Sequence, residues 1–202
     1  MNEHSFIYIF MSKPLSPEKY TQIIEAAEKL IAEVGFGGLS MQKVANRAGI
    51  AAGTIYRYFT DKEHLLRQVR KHVAHRIADA IQHGLDADMS IKQKHRTICL
   101  NIWNLNESNT SVISNRAQYE SLPTLGDKSI QSLEKQLFSQ VHQILDQGKQ
   151  QGFIKPLDNE TLMHLSFSPI VMMLTKQRQG ILSIQDSIDD IINASWDAII
   201  TH

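Results

Sequence analysis

Apolar side chains recur along this chain at helical spacing. Tyr20, Ile23, Ile24, Ala27, Leu30, Ile31 and Val34 fall on one face of a helix that Ser16 can cap and Pro17 can open. Gly35, with Gly37 and Gly38 behind it, ends that stripe as a C-capping glycine would. Ser40 is placed to cap a short second helix with Val44, Ala45 and Ala48 turned inward, closed by Gly49. A third short helix follows Ile50 and runs to about Tyr58 or Phe59. Asp61 is placed to cap a fourth, which carries Leu65, Leu66 and Val69 and extends to about Gly84. Beyond it the pattern predicts helices over 90–106, 111–121, 127–150, 159–179 and 184–201. No segment alternates with the period of a strand and no internal repeat is present, so the fold class is all-α, with a domain boundary inside the fourth helix.

Two helices of about two turns joined through a glycine make a helix-turn-helix, here over about 40–59. Ala45 is small where the second helix of the pair must come close, Gly49 supplies a left-handed turn residue, and Ile50 and Ile55 fill the gap between the helices. Ala52, Gly53, Thr54, Tyr56, Arg57 and Tyr58 are left for the outward faces. A helix so furnished can lie in a major groove, with its first residues at base edges and flanking groups on phosphates. Tyr56, Tyr58 and Lys62 in particular place three phosphate-reaching groups on one face with little part in a core.

The run from Ala48 to Phe59, followed by Asp61-Lys62-Glu63-His64-Leu65-Leu66, resembles the recognition helix and next helix start of TetR-family regulators. Gly35-Phe36 and the run from Leu39 to Ala45 are similar to the same family's first turn and second helix, so the likeness spans roughly residues 17 to 77. It implies that Ser40 caps the second helix and touches a phosphate, that Gln42 faces the groove, and that Thr54, Tyr56, Tyr58 and Lys62 hold the DNA backbone. Ala52, Gly53 and Arg57 would lie nearest the bases. One departure is that Ala51 stands where the family has a Ser or Thr cap, and Ala52 where a longer polar side chain is frequent. Base reading then rests more on Gln42 and Arg57, with Ala52 restricted to apolar contact such as a thymine methyl.

The resemblance also implies a division of the chain. Residues 1–15 are an N-terminal arm or a start-site leader, 16–77 a three-helix DNA-binding module, and 78–202 a helical ligand-binding and dimerisation domain. The last two helices would pair two copies into a homodimer whose recognition helices meet successive major grooves of a double-stranded, inverted-repeat operator. Pro169 inside the penultimate helix removes a backbone hydrogen bond and is expected to kink it, unless the helix stops there. Trp103, Tyr119, Phe138, Met163 and Phe167, with Met172 and Met173, are candidates to line a cavity for an unknown small hydrophobic or amphipathic inducer. The function expected is a transcriptional repressor released by that inducer. The alternative is a DNA-binding regulator without a small-molecule ligand, answering to a protein partner.

Charge changes this picture only locally. Twenty-one basic residues balance 21 acidic ones over the 202-residue chain. Between Leu39 and Lys71, however, seven basic residues face two acidic ones, the imbalance expected of a nucleic-acid face. The single cysteine, Cys99, has no disulfide partner in the chain and fits the cytoplasm. No apolar run is long enough to span a bilayer, and the short stretch Phe6 to Phe10 lacks the length of a signal peptide. His72 and His75 are one turn apart, but no Cys or acidic residue completes a metal set, so no metal and no cofactor are expected. There is no phosphate loop, dinucleotide fingerprint or defensible nucleophile triad, and an enzyme is not expected.

Overall fold

The computed structural model describes residues 16–107 and 128–201. The first of its helices, α1 (Pro17–Gly38), begins as the sequence requires: Ser16 is extended, and its hydroxyl accepts the Lys19 amide at 3.3 Å. Gly35 is left-handed (φ 66°) with an extended ψ of 178°, so regular helical geometry stops there as the sequence expects, and a short further turn follows to Gly38. Helix α2 (Met41–Arg47) is capped by the Ser40 hydroxyl, which accepts the Lys43 amide at 3.3 Å. Gly49 (φ 63°) turns the chain into the short α3 (Ala52–Ile55), which has no side-chain cap at Ala51.

Helix α4 (Lys62–Ile81) follows, started by the Asp61 carboxylate accepting the His64 amide at 2.6 Å. The chain divides into two compact units inside this helix, between Arg67 and Gln68. In the first, Ile23, Ile24, Ile31, Val44, Ala45, Ile55, Phe59 and Leu65 are fully buried. The Gln22 amide donates to the Ala48 carbonyl at 2.8 Å, tying α1 to the end of α2. Arg47 donates both terminal nitrogens to Glu33, at 2.8 and 2.5 Å, on the exposed side of the same pair.

The second unit adds α5 (Ile91–Glu107), α6 (Lys128–Leu137), α7 (Ser139–Gln150), α8 (Asn159–Arg178) and α9 (Ile188–Asp197). The single helix expected over 127–150 is two, because Phe138 leaves helical geometry (φ −95°, ψ 17°) between α6 and α7. The helix expected over 111–121 lies outside the described residues. Helix α8 runs on through Pro169 to Arg178, capped by Asp158. Pro169 removes a donor from the carbonyl four residues back, that of Leu165, without ending the helix. The final helix is shorter than the apolar pattern, since residues 153–155 and 199–201 pair in an isolated antiparallel bridge. Lys155 N–H donates to Ile199 O at 2.9 Å, and Thr201 N–H to Phe153 O at 3.1 Å. The core of this unit joins α4, α5, α7, α8 and α9 through Ile81, Ile98, Cys99, Ile144, Leu162, Ile170 and Trp196.

Candidate nucleic-acid interface and internal cavity

The short α3 exists because its buried side chain Ile55 and the following Phe59 anchor it to the first unit's core. What faces away is then decided by helical spacing. Ser40, Gln42, Gly53 and Arg57 are exposed, Tyr56 is 57% exposed, and Ala52, Thr54, Tyr58 and Lys62 are half-buried. A large aromatic more than half in water, next to a basic residue, leaves flat area and a hydroxyl for a partner.

Not all the expected phosphate groups stand alone. The Tyr58 hydroxyl accepts the Ser16 backbone N–H at 3.1 Å, and the Lys62 ammonium donates to the Phe36 carbonyl at 2.9 Å. These two side chains therefore brace the ends of α1 as well as edging the exposed face. Sequence spacing showed their direction but not these long-range partners. On α2, the Gln42 amide donates to the Asn46 Oδ1 at 2.9 Å, which fixes both side chains on the exposed surface of that helix. Asn46 was missed in the sequence, although its i, i+4 spacing from Gln42 was a readable signal.

The second unit holds a half-open cavity of about 630 Å³. Phe138, Met163 and Phe167 line it, together with Ile77, Ile98 and Val171. Trp103 packs half-buried against the core but does not line the cavity, and neither do Met172 and Met173; Tyr119 lies outside the described residues. Indole and thioether side chains at helical spacing are ordinary core material, and only the packing of five helices shows which ones border empty space.

Beside the cavity wall a buried polar cluster links three helices. His95 Nε2 of α5 lies 2.7 Å from Ser166 Oγ of α8 and 3.2 Å from Ser195 Oγ of α9, and Ser195 donates to the Ser166 carbonyl at 2.8 Å. The His95 ring stacks on Phe167 at 5.5 Å between centroids and meets Trp196 edge-on at 5.2 Å. Burial lowers the imidazole pKa to about 4, with the nearby Lys92 charge acting in the same direction, so the ring is neutral near pH 7. Burial pushes the Cys99 thiol up to about 12, which removes the thiolate that redox chemistry would need. Among the described residues no group of three His, Cys, Asp or Glu side chains is placed to hold a metal ion, and no helix is long and apolar enough to cross a membrane.

Comparison with known proteins assigns both units. Residues 23–69 match the model of bacterial regulatory proteins of the tetR family, and residues 90–200 match the tetracyclin repressor-like C-terminal domain. The chain belongs to the TetR family. An HTH-type transcriptional regulator of Haemophilus influenzae is 31% identical over 181 residues, covering 88% of this chain and 94% of its own. The fatty acid metabolism regulator protein of Bacillus subtilis is 26% identical over 182 residues, covering 86% and 93%. A solved TetR-family protein from Vibrio parahaemolyticus is 55% identical and superposes with a TM-score of 0.82, covering 91% of this chain and all of that one. This TetR-family member is thus a helix-turn-helix transcriptional regulator and not an enzyme.

Proposed function

We propose that this regulator is a homodimeric repressor that binds an inverted-repeat operator and is released when a small hydrophobic or amphipathic molecule enters the cavity of the second unit. The observation that carries the reading is the cavity itself, about 630 Å³ and lined mainly by aliphatic and aromatic side chains. The relationship to a regulator of fatty acid metabolism supports an aliphatic occupant. Ser40, Gln42, Ala52, Gly53, Thr54, Tyr56, Arg57, Tyr58 and Lys62 form the DNA face, with Gln42 and Arg57 as base readers.

Release needs a ligand that prefers a state in which the recognition helices no longer fit their grooves. Helix α4 is the natural lever. It starts at Lys62, which holds the end of α1, and its later residues Val73, Ile77 and Ile81 border the cavity.

The dimer seam follows from α8 rather than from the buried face of α9. Leu165 and Met172, seven residues apart on α8, are 43% and 56% exposed, whereas Ile192 and Trp196 are buried within the chain's own core. Binding of the purified protein to DNA upstream of its own gene, followed by titration of a compound library, tests the reading. Compounds that raise the melting temperature and lower operator affinity together support it. A library in which every stabilising compound leaves operator affinity unchanged overturns release and favours control by a protein partner.

A further inference from the structure

We propose that His95 pins the rotational setting of α8, and that an occupant of the cavity loosens the dimer by turning α8 off this pin through Phe167. The inference rests on the reading of the cavity as the inducer site and of α8 as the dimer seam, and adds how the two communicate.

One turn of α8 carries all three parts. Leu165, Ser166 and Phe167 follow one another at about 100° around the helix, so they point in three directions. Leu165 is 43% exposed, Ser166 is fully buried against side chains of α5 and α9, and Phe167 lines the cavity. Each direction continues along the helix: Met172 is exposed, Ile170 is buried, and Met163 and Val171 line the cavity. Turning α8 about its axis therefore moves the exposed stripe by the same angle as the cavity wall.

The pin has one setting. With its proton on Nε2, His95 donates to the Ser166 hydroxyl at 2.7 Å, that hydroxyl donates to Ser195 Oγ at 3.2 Å, and Ser195 donates to the Ser166 carbonyl at 2.8 Å. Every hydrogen of these three side chains then has an acceptor, whereas the other tautomer aims Nδ1–H at Cys99 Sγ, 3.9 Å away. His95 and Ser166 are 3% and 0% exposed, so bulk water does not reach a bond that opens. A small turn of α8 leaves buried donors unmade, which favours the pinned setting or a clear departure from it over a continuum between them. Phe167 supplies the push. Its ring borders the cavity and stacks on the His95 ring at 5.5 Å between centroids, and His95 in turn meets Trp196 of α9 edge-on at 5.2 Å. A molecule that displaces the Phe167 ring meets the braced imidazole behind it, and α8 yields by turning.

The test fills the cavity by a covalent chain, whatever its natural occupant. Ala74 of α4 is half-buried and lines the cavity, so Ala74→Cys in the full-length protein takes a hexyl chain from hexyl methanethiosulfonate as a mixed disulfide, with methanesulfinate leaving. Cys99 is 0% exposed with its thiol pushed up to about 12, so it stays unlabelled, and dithiothreitol removes the chain again. Analytical ultracentrifugation should give the labelled protein a dimer dissociation constant about tenfold or more above that of the unlabelled one, restored by dithiothreitol. His95→Phe keeps an aromatic ring between Phe167 and Trp196, and Ser166→Ala nearly keeps the volume. Each of these, unlabelled, should weaken the dimer to a similar degree, and labelling should then add less than about twofold. A variant that merely damaged the core would add its loss to the label's. Circular dichroism shows which variants fold, and either folded one decides. An unchanged dimer in the labelled protein overturns the proposal, as does a label effect that persists in full in a folded pin variant. Operator affinity separates this from the readings beneath it. A labelled protein that stays a tight dimer but lets go of the operator keeps the inducer site and removes only the turning of α8, whereas a folded dimer of Leu165→Asp removes the seam itself.

Discussion

The Lys62 ammonium donates to the Phe36 carbonyl at 2.9 Å, joining the first residue of α4 to the last turn of α1. A side chain expected on a phosphate therefore also holds the module together. Lys62→Ala should lower the melting temperature and weaken binding to all DNA sequences alike. Tyr56, 57% exposed, has no such role in the core, and Tyr56→Ala should weaken DNA binding and its salt dependence with little change in stability. Thermal melts beside salt-dependent binding of the two variants check the distinction. Equal stability loss in both would show that Lys62 does not brace α1.

Base preference should move to different residues. Gln42→Ala and Arg57→Ala should each relax discrimination at particular base pairs, by roughly 1–3 kcal/mol where the contact is bidentate, while leaving non-specific affinity closer to normal. Asn46→Ala should partly reproduce Gln42→Ala, because the Asn46 Oδ1 accepts the Gln42 amide at 2.9 Å and holds that side chain in place. Binding to a randomised operator library reads all three. If neither Gln42→Ala nor Arg57→Ala alters the selected sequence, the readers lie elsewhere.

His95 should make stability depend on pH. Its folded pKa of about 4 lies below the ordinary value of 6.5, so the unfolded chain takes up the proton first. The stabilisation is complete above about pH 6.5, falls by up to about 1.4 kcal/mol per pH unit on acidification, and levels off below about pH 4. His95→Phe should flatten that slope between about pH 6.5 and 4, whatever it does to stability at neutral pH. Urea unfolding across this range measures it, and an unchanged slope would place the acid sensitivity in other groups.

Ile192 and Leu165 separate folding from assembly. Ile192 is 3% exposed, so Ile192→Asp buries an unpaired carboxylate and should unfold the second unit rather than merely dissociate a dimer. Leu165→Asp and Met172→Asp, on exposed positions of α8, should give folded monomers that bind a two-fold operator poorly. Circular dichroism with analytical ultracentrifugation resolves the cases. Folded dimers of both α8 variants would move the seam off this helix.

Gly148 and Ile154 set a packing limit. A Cβ at Gly148 would come within 2.7 Å of Ile154 Cγ1, a residue that is itself 2% exposed and forms the bridge with Ile200. Gly148→Ala should cost roughly 1–3 kcal/mol by overpacking. A calorimetric melt at or above the parent's temperature would show that the bridge segment moves aside without strain.

The sequence by itself determined what depends on neighbours along the chain. Ser16, Ser40 and Asp61 begin helices because their side-chain oxygens reach amides three residues on, and Gly49 turns because its φ is 63°; each cause is local and readable in one dimension. The helix-turn-helix was legible for the same reason, its buried and exposed positions following from helical spacing once Ile55 faced inward. The break at Phe138 and the shortening of α9 were not legible, because packing and the bridge between Ile154 and Ile200 override periodicity there. Nor was the cavity wall. Phe138, Met163, Phe167 and Trp103 are alike as sequence, and only the meeting of helices from distant stretches of the chain leaves three of them at an open space and Trp103 away from it. The same holds for His95, which becomes a neutral buried pin only when Ser166 and Ser195, 71 and 100 residues later, are brought to it. Local hydrogen bonds are written in the order of residues, but desolvation and empty volume arise from contacts among residues far apart in the chain.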